Sequence, residues 1–141
     1  MVTKRNPGVL IGYAAVASLA VVALLYQVFL VGLSLLGGQP SWGTHIDFGH
    51  MFGLFPILLL ILAYVGRLPG TEKRLNWTLF GIYIVQAEVF AVIRGAVPLL
   101  AAFHPVLALV LFATTSLVAW RGVALARARS AAGEDRGRMA A

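Results

Sequence analysis

The chain has 141 residues, of which 60% are hydrophobic and only 11% charged, and its mean hydropathy is +0.90. A soluble domain carries about 25% charged residues, so the composition excludes an ordinary soluble domain and points to an integral membrane protein. The absence of cysteine excludes iron–sulfur clusters, thiolate catalysis and disulfides, and the net charge of +6 rests on eleven Lys and Arg whose positions carry topological information.

A bilayer core is about 30 Å thick, so a spanning helix needs about 20 apolar residues. Four such stretches are predicted, at residues 9–36, 46–65, 75–97 and 99–125, the last starting either near 99 or at 106. Short connections make consecutive helices antiparallel neighbours, which predicts an all-α, integral membrane four-helix bundle of up-down topology. Residues 1–130 are expected to form one transmembrane domain and 131–141 a basic, disordered tail. Lys4, Arg5, Arg67, Lys73, Arg74, Arg121, Arg127, Arg129, Arg136 and Arg138 all fall on one side, and the eleventh cation, Arg94, sits inside the third span. The positive-inside rule then puts both termini in the cytoplasm of a multi-pass inner (cytoplasmic) membrane protein. The basic excess is a topogenic signal that also favours anionic lipid, so the expected partner is the bilayer and not nucleic acid. The first apolar run is too long for a cleaved signal peptide and is read as a retained helix.

In the first span Gly12, Ala15, Ser18 and Ala23 are small enough for close helix contact. Gln27 and Ser34 share a face suited to interhelical hydrogen bonds. Gly37, Gly38 and Pro40 end the helix, and Trp42 suits an interface. The second span opens on Thr44-His45-Ile46-Asp47, a capping-box-like start in which Asp47 also suits the helix N-terminus. His50 lies deeper, and Gly49 and Gly53 permit close approach of a helix or a flat ligand. Pro69-Gly70 turns the chain. Asn76, Tyr83, Gln86, Phe90 and Arg94 then make one helical stripe facing the interior, with Glu88 on nearly the opposite side. In the fourth span His104 is either near the helix cap with Pro105 in the first turn, or just before a kink at Pro105. Thr114 and Thr115 can bond back to their own helix.

All three histidines belong to one end of the bundle. The second and fourth spans run in the same direction, so His50 and His104 reach similar depth, and diagonal placement would let two imidazoles ligate one iron from both faces of a porphyrin. Gly49 and Gly53 would leave room for the ring, and Arg94 offers a fork of donors to its propionates. A non-haem metal site built from His45, Asp47, His50 and His104 is the alternative. Ionisable residues within spans are costly and point to function, but Arg94 also fits a snorkelling or Asp47-paired role. Glu88 fits an interhelical hydrogen bond or a proton path.

With His50, or His45 in its place, on the second helix and His104 on the fourth, the layout resembles one four-helix half of haem A synthase. It also has the form of small bacterial four-helix membrane proteins. The resemblance implies a haem-b-binding bundle more than haem A synthesis, because there is one half here and Asp47 is the only acid near the histidine-side loop. Three functions are open on the sequence: a haem b protein passing electrons or handling haem at the outer face, a structural or assembly subunit working with a membrane partner or as a homo-oligomer, and a small transporter or channel using Glu88 and Arg94.

Overall fold

A computed structural model of the protein describes residues 6–37, 42–93 and 95–140, without the side chains of 134–137 and 140. Among the described residues there is no strand. Four helical stretches are long and apolar enough to cross a membrane: Pro7–Leu35, Trp42–Val65, Gly70–Ile93 and Pro98–Gly133.

The first stretch is one helix, α1 (Pro7–Leu35). Asn6 starts it, accepting a hydrogen bond from the Gly8 N–H at 2.9 Å, while Pro7 occupies the first turn, where a missing N–H costs little. Its buried face is Tyr13, Ala14, Ala17, Ala20, Ala23 and Leu24. Alanines at three-residue spacing let the backbones approach, and the most extensive helix contact in the protein is made between α1 and the last helix. Of the small residues expected there, Ala23 takes part, whereas Ala15 and Ser18 are exposed and Ser18 bonds back to the Ala14 carbonyl at 2.9 Å. Small residues occupy more than one face of this helix, so spacing alone does not select the contact face.

The second stretch is α2 (Trp42–Phe52) and α3 (Leu54–Val65), joined by a hitch at Gly53. Pro56 causes the hitch. It has no N–H to give the Phe52 carbonyl, and its ring crowds that carbonyl; the Gly53 N–H meanwhile closes a tight bond to the His50 carbonyl at 3.0 Å. Thr44 and Asp47 lie within α2, and no capping bond joins them among the described residues. At the far end of α3, Leu68 N–H bonds the Ala63 carbonyl at 2.9 Å and Arg67 N–H the Tyr64 carbonyl at 3.0 Å. This is a Schellman cap, and it forces Arg67 to φ 49°, where glycine is the usual occupant.

The third stretch is α4 (Gly70–Tyr83), a π-helical segment (Ile84–Val89) and α5 (Phe90–Ile93). Asn76, Tyr83 and Gln86 of the expected stripe are buried. The fourth is a short helix, α6 (Pro98–Ala101), then a turn and α7 (His104–Ala140). Pro105 sits in the first turn of α7 with His104 at its start, as in the later of the two starts the sequence leaves open, and the first backbone bond runs from Leu107 N–H to the Phe103 carbonyl at 2.9 Å. The helix continues through residues 131–140, where a disordered tail is the expectation from the sequence. The Ala- and Arg-rich run before it has high helix propensity, which carries the helix onward.

The four stretches pack in a closed ring, first against second, second against third, third against fourth and fourth against first. The second and fourth are therefore diagonal, and α2 and α7 have at most sparse backbone contact. One end of the bundle, here the basic end, is tied by Arg121, which grips Glu72 with two hydrogen bonds of 2.7 and 2.8 Å. Beside it the Asn76 amide donates to the Tyr13 hydroxyl at 2.8 Å. The opposite end carries the histidines.

Candidate functional site

His45 and His104 meet across the diagonal. Their ring centroids are 6.3 Å apart, with the planes inclined at 69°. Because the backbones of α2 and α7 stand apart, the two imidazoles themselves bridge the gap. His45 is held by a backbone carbonyl. The Nδ1 of His45 lies 3.3 Å from the Gln27 carbonyl of α1. A ring nitrogen that donates to a carbonyl fixes the tautomer and leaves the other nitrogen with its lone pair, the arrangement usual for histidine ligands. The Gln27 amide adds a second tie, donating to the His45 carbonyl at 2.7 Å. Trp42 packs edge-on to His45 at 5.6 Å, and Phe90 lies 6.2 Å from His104. The amide oxygens of Gln27 and Gln86 are buried with no hydrogen-bond partner, so this end of the interior holds acceptors that the described protein groups leave unused.

His50 does not join this pair. Its Nδ1 lies 3.0 Å from Oε1 of Glu88, and the Tyr83 hydroxyl lies 3.2 Å from the same oxygen and 3.1 Å from the His50 carbonyl. The hitch at Gly53 makes this possible. It clears space for the Tyr83 ring, since any Cβ at Gly53 would collide with it. Gly49 is likewise filled from α1, where a Cβ would stand 2.9 Å from the Gln27 amide nitrogen. The close approach expected at Gly49 and Gly53 is thus made by Gln27 and Tyr83.

The π-helical segment underlies both clusters. In a regular α-helix Tyr83 and Glu88 would point about 140° apart, and Glu88 would face away from the stripe, as the sequence predicts. Here the Phe90 N–H bonds the Val85 carbonyl, five residues back. The widened turn brings Glu88 round to Tyr83, and Phe90 just beyond it lies beside His104. Only the segment Ile84–Val89 and its two flanking helices are needed to place Tyr83, Gln86, Glu88 and Phe90 at the same end.

Of the residues singled out from sequence, His45, His104, His50 and Glu88 thus fall into two adjacent clusters. Asp47 is exposed and makes no ion pair among the described residues. Arg94 lies outside the described residues. No group of three or more His, Asp or Glu side chains able to hold a metal ion occurs among the described residues, so the four-ligand non-haem set does not assemble. Gln27, Gln86 and Phe90 are the site residues that sequence reasoning assigned elsewhere; their shared depth with the histidines was the available signal.

An all-helical fold with four helices long and apolar enough to cross a membrane, and a histidine-rich cluster at one end, defines the class. Residues 27–92 match a family described as a family of unknown function, DUF6220. The matched stretch includes Gln27, His45, His50, Tyr83, Gln86 and Glu88 but stops before His104. No curated protein and no solved structure matches the chain.

Proposed function

We propose that this chain is a multi-pass inner-membrane protein, with both termini cytoplasmic, that binds haem b near its outer face through His45 and His104 and there passes electrons or handles haem. The orientation rests on the one-sided distribution of Lys and Arg. The haem reading is carried by one observation, the 6.3 Å separation of the two imidazoles on diagonal helices. Two-sided ligation with metal–nitrogen bonds of about 2 Å needs ring centres roughly 6 Å apart. The Gln27 carbonyl supports it, since it orients the His45 ring and raises its basicity as a ligand. His45 takes the role that the resemblance to haem A synthase gives first to His50, because His50 is engaged by Glu88. Bound haem would supply one-electron chemistry. The protein's part is to hold the iron by two nitrogens, to shield it with Phe90 and Trp42, and to offer Arg94 as a cation for the propionates, a role read from sequence alone.

The absorption spectrum of protein purified from haem-replete cells tests this. The expected result is a Soret band with sharp α and β bands on reduction, lost or converted to a high-spin form in His45→Ala and in His104→Ala, and kept in His50→Ala. A colourless wild type, or wild-type spectra in both His45→Ala and His104→Ala, would overturn it.

A further inference from the structure

The pair His50–Glu88 has a second use that does not depend on haem. Both side chains are 46% exposed, on a helix surface whose neighbouring residues are the exposed Met51, Leu54 and Val89. In a chain that spans a bilayer such a surface faces hydrocarbon, where polar groups without partners are costly. Glu88 uses only Oε1, which receives both His50 and Tyr83, and His50 uses only Nδ1 and its carbonyl. Among the described residues His50 Nε2 and Glu88 Oε2 have no hydrogen-bond partner. A net charge is costly in hydrocarbon, which favours the form of the pair that holds two protons between its members. In that form, whichever of Nδ1 and Oε1 holds the shared proton, Nε2 carries a hydrogen and Oε2 carries a lone pair. The patch therefore presents one donor and one acceptor side by side.

We propose that this patch binds the same patch of a second copy of the chain, about a two-fold axis. A surface with one donor and one acceptor is complementary to itself under a two-fold rotation. Nε2–H of each copy donates to Oε2 of the other, so both open positions are satisfied at once and the polar pair is removed from lipid. Met51 and Leu54 supply apolar contact beside it. No other occupant is needed to balance the patch: a plain apolar helix would cover it without satisfying either atom.

The test is energy transfer between donor- and acceptor-labelled full-length chains in vesicles of phosphatidylethanolamine and phosphatidylglycerol. Wild type should pair well above random proximity. His50→Ala and Glu88→Ala should each lower the paired fraction by roughly tenfold, because each removes both intermolecular bonds of a symmetric dimer. Mixing the two variants should restore part of the signal, since His50 of one then meets Glu88 of the other. A wild type that pairs no better than chance, single variants that pair as wild type does, or a mixture no better than either variant alone, would each overturn the proposal. Should the variants fail to fold, as judged by helical circular dichroism, the Leu54→Cys chain decides. It is otherwise native and has the protein's only thiol, and it should form a disulfide-linked dimer under mild oxidation, whereas Leu25→Cys, exposed on α1, should not. Equal cross-linking at the two positions, or none at Leu54→Cys, overturns the proposal.

Discussion

Tyr83 and Glu88 are five residues apart, yet the tyrosine hydroxyl donates to the glutamate at 3.2 Å. The link exists because the helix between them is π-helical. The ring of Tyr83 also fills the space above Gly53. One aromatic side chain thus registers the second stretch against the third and holds the acid beside His50.

Substitution at Gly53 should expose that registration. An ideal Cβ there would lie 2.6 Å from Cζ and 2.9 Å from Cε1 of Tyr83, so Gly53→Ala must displace the ring. The expected cost is about 1–3 kcal/mol in reversible unfolding from detergent, in line with other overpacking changes. Adding Tyr83→Ala should remove most of the extra penalty. Strictly additive effects would mean the two residues do not touch.

Arg67 holds a left-handed conformation, with φ of 49°, at the end of α3. A side chain in that region costs about 1–2 kcal/mol, part of which glycine gives back through its freer unfolded chain. Arg67→Gly should therefore raise stability by about 0.5–1 kcal/mol, and Arg67→Ala should leave it nearly unchanged. The same unfolding measurement checks both, and a destabilised Arg67→Gly would count against the cap.

At the basic end Glu72 is 3% exposed and is held by both hydrogen bonds from Arg121. Removing the arginine strands a buried carboxylate; removing both partners does not. Arg121→Met should accordingly lower the thermal midpoint more than the double variant Glu72→Met with Arg121→Met. If the double variant is the less stable, the carboxylate has another partner.

Orientation in the membrane is open to direct labelling of single-cysteine variants, because the chain has no cysteine of its own. Gly43→Cys and Thr71→Cys are both at exposed positions, at opposite ends of the second stretch and its following turn. In intact cells an impermeant thiol reagent should modify the first and spare the second. The reverse pattern would invert the orientation and move the histidine end to the cytoplasm.

Much of the fold is legible in the sequence. Hydropathy alone locates four stretches, and the spacing of Asn76, Tyr83 and Gln86 correctly turns them inward. Two departures from ideal helix geometry hide the rest. Reasoning at 100° per residue puts Glu88 opposite Tyr83, and nothing in Ile84–Val89 announces a π-helical turn. Pro56 is visible, but the hitch it makes is seen one turn earlier, at Gly53. Depth and the nearby glycines favour His50 over His45 in the sequence. In the structure Tyr83 and Gln27 occupy those glycines, His50 turns to Glu88, and His45 is left to reach across to His104. Side-chain competition of that kind has no signature in spacing.

The alanine face of α1 has a consequence for access. Ala14, Ala17, Ala20 and Ala23 are buried on α1, whose packing against α7 is the most extensive in the protein, while the π-helical segment touches α2 and α7 only sparsely. Under the proposed haem reading, the closely packed α1–α7 wall is the harder way to His45 and His104, and the sparsely packed side beside Phe90 the easier one. Were haem bound there, its entry would depend on which seam can part, and a bulkier residue at the buried Ala17 or Ala20 would be expected to change it without touching either imidazole.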